Sequence, residues 1–342
     1  KIWRNYCISD AYEPGSTFKP MTVAACLDEG VTTGSRAYHC DGYQVINGVR
    51  IKCVAYSRGG HGTINICQSL MESCNDVLMQ LGADLGKRKF LQYVNEFGFG
   101  KKTGIDLPGE ATGGVFTNDT MHAVELATSS FGQGQTVTMI QMAAAFSSVI
   151  NGGNYYEPHV VKEVKSENGA VLESNDNALV RRVITENTSK KLRKYLYKTV
   201  EEGTALPAKV AGYQIGGKTG TAEKHPTGRG NYLVSFIGFA TKDNPEVMIY
   251  VTIDEPHVAD QAHSTYATQF SSEVLKEVLP VLGMYQDSST KKADKTKASD
   301  IKLPSTKEAP DGGYSDGTYS VAGDQTDRTD TANTASPVPS AE

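Results

Sequence analysis

The run Tyr12-Glu13-Pro14-Gly15-Ser16-Thr17-Phe18-Lys19-Pro20 sets a serine and a lysine one helical turn apart, just after a Pro-Gly break. Residues i and i+3 share a helix face, so Ser16 and Lys19 can touch if a helix opens here. Pro14 and Gly15 interrupt the incoming chain and suit such an opening. A serine hydroxyl is a weak nucleophile at neutral pH and needs an adjacent base. Lys19 can be that base only when neutral, a state that burial and nearby positive charge both favour. The positive end of the helix dipole near Ser16 favours an oxyanion there.

Working outward, two more polar groupings follow in order. Ser73-Cys74-Asn75 spaces a hydroxyl and a carboxamide i, i+2, so on an extended or looped segment both point the same way. The hydroxyl suits a proton relay and the carboxamide suits orientation of a substrate amide. Gly217-Lys218-Thr219-Gly220-Thr221-Ala222-Glu223 precedes a strand-rich region. There Lys218, the obvious second cation, joins the hydroxyls of Thr219 and Thr221 to offer a carboxylate site. Gly220 lets a substrate backbone lie along the strand. The backbone N–H groups of Ser16 and Thr221 make a natural oxyanion pair. Alone, each element reads as a cap, a turn or a solvated lysine. The ordered set of three does not.

A Ser-x-x-Lys, a Ser-x-Asn and a Lys-Thr-Gly in this order resemble the acyl-serine machinery of penicillin-binding proteins and serine β-lactamases. Glu13–Lys19 and Lys218–Glu223 resemble the class B, monofunctional penicillin-binding-protein forms of their motifs. So do Phe131-Gly132-Gln133-Gly134 with Val137-Thr138 and Gln141, and Asn151-Gly152-Gly153 after the following helix. The resemblance covers roughly residues 1–283 and leans to the division and sporulation type of Gram-positive bacteria. It implies an α+β (α/β) transpeptidase fold: an antiparallel sheet flanked by helices, with a helical subdomain.

The implied chemistry is cross-linking of peptidoglycan. Ser16 attacks the D-Ala-D-Ala bond of a stem peptide, and an amine of a neighbouring stem peptide resolves the acyl-enzyme. β-Lactams acylate the same serine. Ser16, Lys19, Ser73, Asn75 and Lys218 are the implied catalytic residues; Thr219, Gly220 and Thr221 bind substrate. No metal or organic cofactor is implied. The resemblance further implies a single membrane anchor, an extracytoplasmic catalytic domain and a membrane glycosyltransferase as partner. Family members carry the anchor, a pedestal domain and the first sheet strands upstream of the nucleophile, whereas this chain opens at Lys1. Three sheet strands are therefore expected, with Val247–Asp254 left at an open, aggregation-prone edge.

Two other functions fit the same motifs. A serine β-lactamase or β-lactam sensor needs a base that activates water, and Glu110 and Glu125 lie in the interval where class A enzymes carry theirs. A non-catalytic cell-wall scaffold is the other, against which the intact motifs speak.

Composition agrees with a globular domain over 1–285, at 39% hydrophobic and 21% charged residues overall. A net charge of −5 gives no basic footprint for nucleic acid. No apolar run is long enough to span a membrane. From 286 to 342 the chain is rich in Ser, Thr, Asp, Lys, Gly and Pro, too polar to offset its ordering entropy, and is expected to be a disordered tail. Helical spacing marks 63–82, 87–97, 137–150, 186–202 and 264–282. Asn231–Ala240 and Val247–Asp254 read as strands that join the Lys218 strand in a meander, and 161–165 with 170–173 as a hairpin about Asn168-Gly169.

Six cysteines remain: Cys7, Cys26, Cys40, Cys53, Cys67 and Cys74. An Asn47-Gly48 turn pairs Ile46 with Val49 and makes Cys40 and Cys53 diagonal neighbours, a candidate disulfide. Cys26 and Cys67 read as buried helix residues, and Cys74 as turned away from the cleft. His39, Cys40, Cys53 and His61 raise zinc, but adjacent strand residues face opposite ways, so His39 and Cys40 cannot easily share an ion. No metal is expected.

Overall fold

The computed structural model describes residues 4–175 and 179–286. The tail expected over 286–342 lies, but for Gln286, outside the described residues.

Three antiparallel strands form the central sheet: Ile215–Glu223, Tyr232–Ala240 and Val247–Asp254, in that order across it. Their register sets Gly220 opposite Ser235, and Ser235 opposite Thr252. Val, Ile, Phe and Tyr dominate the second and third strands, as suits a pleated, half-buried surface. The period of two then sorts them. Ile237, Phe239, Met248 and Tyr250 pack into the larger core, where the Phe239 ring lies 6.3 Å from that of Phe146. Phe236, Ala240, Val247, Ile249, Val251 and Ile253 face a second cluster built on Ala267, Leu275 and Leu279 of the helix Thr265–Val281. Both faces of the sheet are thus covered. The third strand pairs on one side only among the described residues, as expected for three strands.

Two of the remaining helices show the local signals that start them. Thr138 and Gln141 form a capping box at the head of Met139–Ile150. Thr185 caps Glu186–Glu202 through the N–H of Thr188. The helix Lys19–Asp28 is buried along its length from Lys19 to Leu27, so it runs through the core with no solvent face.

One helical expectation needs correction. Residues 63–82 are not one helix but a strand, Gly62–Asn65, followed by two helices, Ile66–Met71 and Asn75–Leu85. The break falls at Ser73, whose φ of 53° lies in the left-handed region. A non-glycine residue held there marks a position that its surroundings over-determine.

The expected disulfide between Cys40 and Cys53 is not formed in the structure. The Asn47-Gly48 hairpin forms with Ile46 opposite Val49 as read from the sequence. Cys40, however, ends the strand Ala37–Cys40, which pairs instead with Gly62–Asn65 and sets Cys40 opposite Gly62. Cys40 and Cys53 are both free thiols, as are the other four cysteines. Cys26 is buried as expected, whereas Cys67 is only half-buried.

Candidate active site

Ser16 lies in a single 3-10 turn, Gly15–Phe18, that runs straight into Lys19–Asp28. Gly15 adopts a φ of +55°, and a Cβ there would meet the Thr221 carbonyl oxygen at 3.0 Å. Glycine therefore lets the Ser16 turn press against the third-motif strand. The Phe131-Gly132-Gln133-Gly134 segment braces this turn from the other side. Gly15 N donates to Gly132 O at 3.0 Å, and Gly134 N donates to Glu13 Oε1 at 3.1 Å. His225 Nε2 also approaches Glu13 Oε1, at 3.2 Å. Burial outweighs these two partners and holds the Glu13 carboxyl above its ordinary range. Thr17 Oγ1 donates to Pro14 O at 2.7 Å and lies 3.4 Å from the Tyr250 hydroxyl, which in turn accepts from Tyr12. Burial raises the pKa of both tyrosines, so they stay neutral and brace the turn by hydrogen bonds.

The second motif meets the first across a buried polar junction. Lys19 Nζ donates to Ser73 O at 2.6 Å, Ser73 Oγ at 3.0 Å and Asn75 Oδ1 at 2.7 Å. Ser73 Oγ donates to Ser16 Oγ at 3.0 Å. Ser73 can therefore pass a proton between the other two. Lys19 is fully buried, and Ser16 and Ser73 are exposed by 2% and 5%. In so dry a setting each hydrogen bond is strong and each unmade one costly. Ser73 and Asn75 point the same way, as their spacing suggested, while Cys74 between them turns into the core.

Lys218, Thr219, Gly220 and Thr221 all lie on the strand Ile215–Glu223. Lys218 is fully buried, and its Nζ donates to Thr219 O and Oγ1, both at 3.2 Å. A cleft of about 330 Å³ opens beside the strand, lined among others by Ser73, Thr204, Thr219, Thr221 and His263. Thr204 and His263 carry no local motif and could not be singled out from the sequence. Gly220 also lies where the strand meets the Ser16 turn. A Cβ there would meet Ser235 Oγ at 2.5 Å and Thr17 Cγ2 at 2.9 Å, so the missing side chain makes room for the Ser16 turn.

The penicillin binding protein transpeptidase domain model matches residues 1–278. The chain belongs to that family. Among curated relatives of this penicillin-binding-protein domain, stage V sporulation protein D of Bacillus subtilis is 42% identical over 286 residues. That match takes in 82% of this chain and 44% of the relative. Penicillin-binding protein PbpB of Mycolicibacterium smegmatis is 29% identical over 80% of this chain and 44% of its own length. The chain thus spans less than half the length of these relatives. Penicillin binding protein 3 of Mycobacterium tuberculosis, solved in complex with ampicillin, superposes with a TM-score of 0.75 at 26% identity. That likeness covers 83% of this chain and 65% of the other. The α+β transpeptidase fold and the class B resemblance, with its sporulation leaning, are borne out. No described helix is long and apolar enough to cross a membrane.

Proposed function

We propose that this domain is a peptidoglycan D,D-transpeptidase that works through an acyl-enzyme on Ser16. The observation that carries the reading is the buried chain Lys19 Nζ–Ser73 Oγ–Ser16 Oγ, with 3.0 Å at each link. With Lys19 neutral, Nζ gives up its donation to Ser73 Oγ and accepts through Ser73 the proton that Ser16 loses as Oγ attacks the carbonyl carbon of the penultimate D-Ala. Ser73 conveys a proton to the departing D-Ala amine, the C–N bond breaks, and an ester on Ser16 remains. The amine of a second stem peptide then attacks that ester, and Ser16 recovers its proton. Asn75 holds Lys19 and orients the substrate amide. Lys218, Thr219 and Thr221 take the terminal carboxylate, and the N–H groups of Ser16 and Thr221 take the oxyanion. These steps use side chains and backbone alone.

The hydrolase alternative fares less well. Glu110 receives the N–H and hydroxyl of Thr103, both at 2.6 Å, and Glu125 receives the N–H of His122 at 3.0 Å. Both carboxylates are committed to loop and cap geometry, which leaves neither free to act as a water-activating base. The scaffold alternative leaves unexplained why Ser73 is held in a left-handed conformation beside Ser16 and Lys19. The same reading carries an extracytoplasmic, membrane-anchored setting and a membrane glycosyltransferase partner.

The test is the fate of the acyl-enzyme. Benzylpenicillin should label the protein stoichiometrically in a burst with no sustained hydrolysis, and a D-Ala-D-Ala peptide should release D-Ala faster when an amine acceptor is added. Sustained penicillin turnover would instead mark a β-lactamase.

A further inference from the structure

Three cysteines and one histidine outside the acyl-transfer chemistry converge on one point. Cys40, Cys53 and Cys74 are exposed by no more than 1%, and with His61 their Sγ and ring nitrogen atoms all lie within 4.8 Å of one another. His61 Nδ1 is 3.5 Å from Cys40 Sγ and 3.6 Å from Cys53 Sγ, and Cys53 Sγ is 3.7 Å from Cys74 Sγ. These lengths can be compared with the edges of a zinc tetrahedron. Zn–S bonds of about 2.3 Å and Zn–N bonds of about 2.0–2.1 Å at tetrahedral angles give S···S edges of about 3.8 Å and S···N edges of about 3.6 Å. These three of the six edges match those values to within 0.1 Å.

Each sulfur is also held as a metal thiolate usually is, by a backbone N–H. Val77 N donates to Cys74 Sγ at 3.4 Å, and the N–H groups of His61 and Ala55 face Cys40 and Cys53. His61 Nε2 is buried and has no partner among the described residues, so the ring is not committed elsewhere. His39, which weighed against zinc in the sequence, takes no part; it is exposed and bonded to Thr63 and Asp41. Cys74 takes its place as the fourth ligand, and it comes from outside the Asn47-Gly48 hairpin.

We propose that Cys40, Cys53, His61 and Cys74 bind one structural zinc ion. Four protein ligands with three thiolates close the coordination sphere, leaving no position for water or substrate. Binding displaces the thiol protons to solvent and forms three Zn–S bonds and one Zn–N bond, with no change of oxidation state. Cys74 is the residue between Ser73 and Asn75, so the ion ties the strand Ala37–Cys40 and the loops at Cys53 and His61 to the second motif. The metal thereby helps hold Ser73 in its left-handed conformation.

The test is the metal content of the natural protein purified without added metal or chelator. About one zinc per chain is expected for a closed Cys3His site, retained in Cys67→Ser and lost in Cys40→Ser and His61→Ala. Should those variants fail to fold, cobalt exchanged into the unaltered protein gives the second measurement. Thiolate-to-cobalt charge-transfer bands and the strong visible bands of a tetrahedral ion are expected. Absence of zinc together with a Cys53–Cys74 disulfide in non-reduced peptides would overturn the proposal, as would a cobalt spectrum lacking thiolate bands.

Discussion

Replacing Lys19 with Ala lowers the rate of acylation by a penicillin by about 10³-fold or more, the upper part of what a general base contributes. Lys19 reaches Ser73 Oγ, Ser73 O and Asn75 Oδ1 together, so its loss removes the base and loosens the second motif at once. The helix itself tolerates alanine. Its buried acceptors lose their donor, at about 1–3 kcal/mol for each group left unsatisfied. Thermal unfolding must therefore accompany the kinetics. Lys19→Met keeps the volume and separates the lost base from a lost fold. Near-normal acylation in a folded Lys19→Met protein would show that Lys19 is not the base.

Gly132→Ala carries the second large effect, and here it falls on the geometry of the turn. Gly132 has a φ of +96°, and an added Cβ would meet the Gly15 carbonyl oxygen as well as Phe18 Cβ at 2.8 Å. Positive φ costs a residue with a side chain about 1–2 kcal/mol, and forcing an extra methyl into packed surroundings costs about 1–3 kcal/mol. The Gly15 N–Gly132 O hydrogen bond that braces the nucleophile turn is displaced in the process. A loss of about 2–5 kcal/mol in denaturant unfolding is expected from the sum of these two costs, with slower acylation in the fraction that folds. An unchanged midpoint and rate would remove this segment from the account.

Much of the site was legible because its parts are local. Ser16 with Lys19, Ser73 with Asn75, and Lys218 through Thr221 each form a short motif whose spacing fixes a shared face. The strands 231–240 and 247–254 were legible by composition and alternation, and the Thr138–Gln141 helix start by its capping pattern. What escaped depends on contacts distant in sequence. The apolar spacing of 63–82 runs through Ser73 without a break, although the backbone reverses there. That Gly220 also leaves room for Thr17 of the Ser16 turn depends on a contact some 200 residues apart in sequence. The cysteines were paired by the hairpin nearest to them, while strand pairing between Ala37–Cys40 and Gly62–Asn65 brings His61 and Cys74 into the same group.

The central claim is that Ser16 is the nucleophile, and the most direct measurement is the position of the covalent adduct. After reaction with a penicillin and proteolysis, the mass increase should map to Ser16 within the peptide containing Tyr12–Lys19, and Ser16→Ala should take up no label. An adduct on Ser73 or any other residue, or labelling that survives in Ser16→Ala, would contradict it.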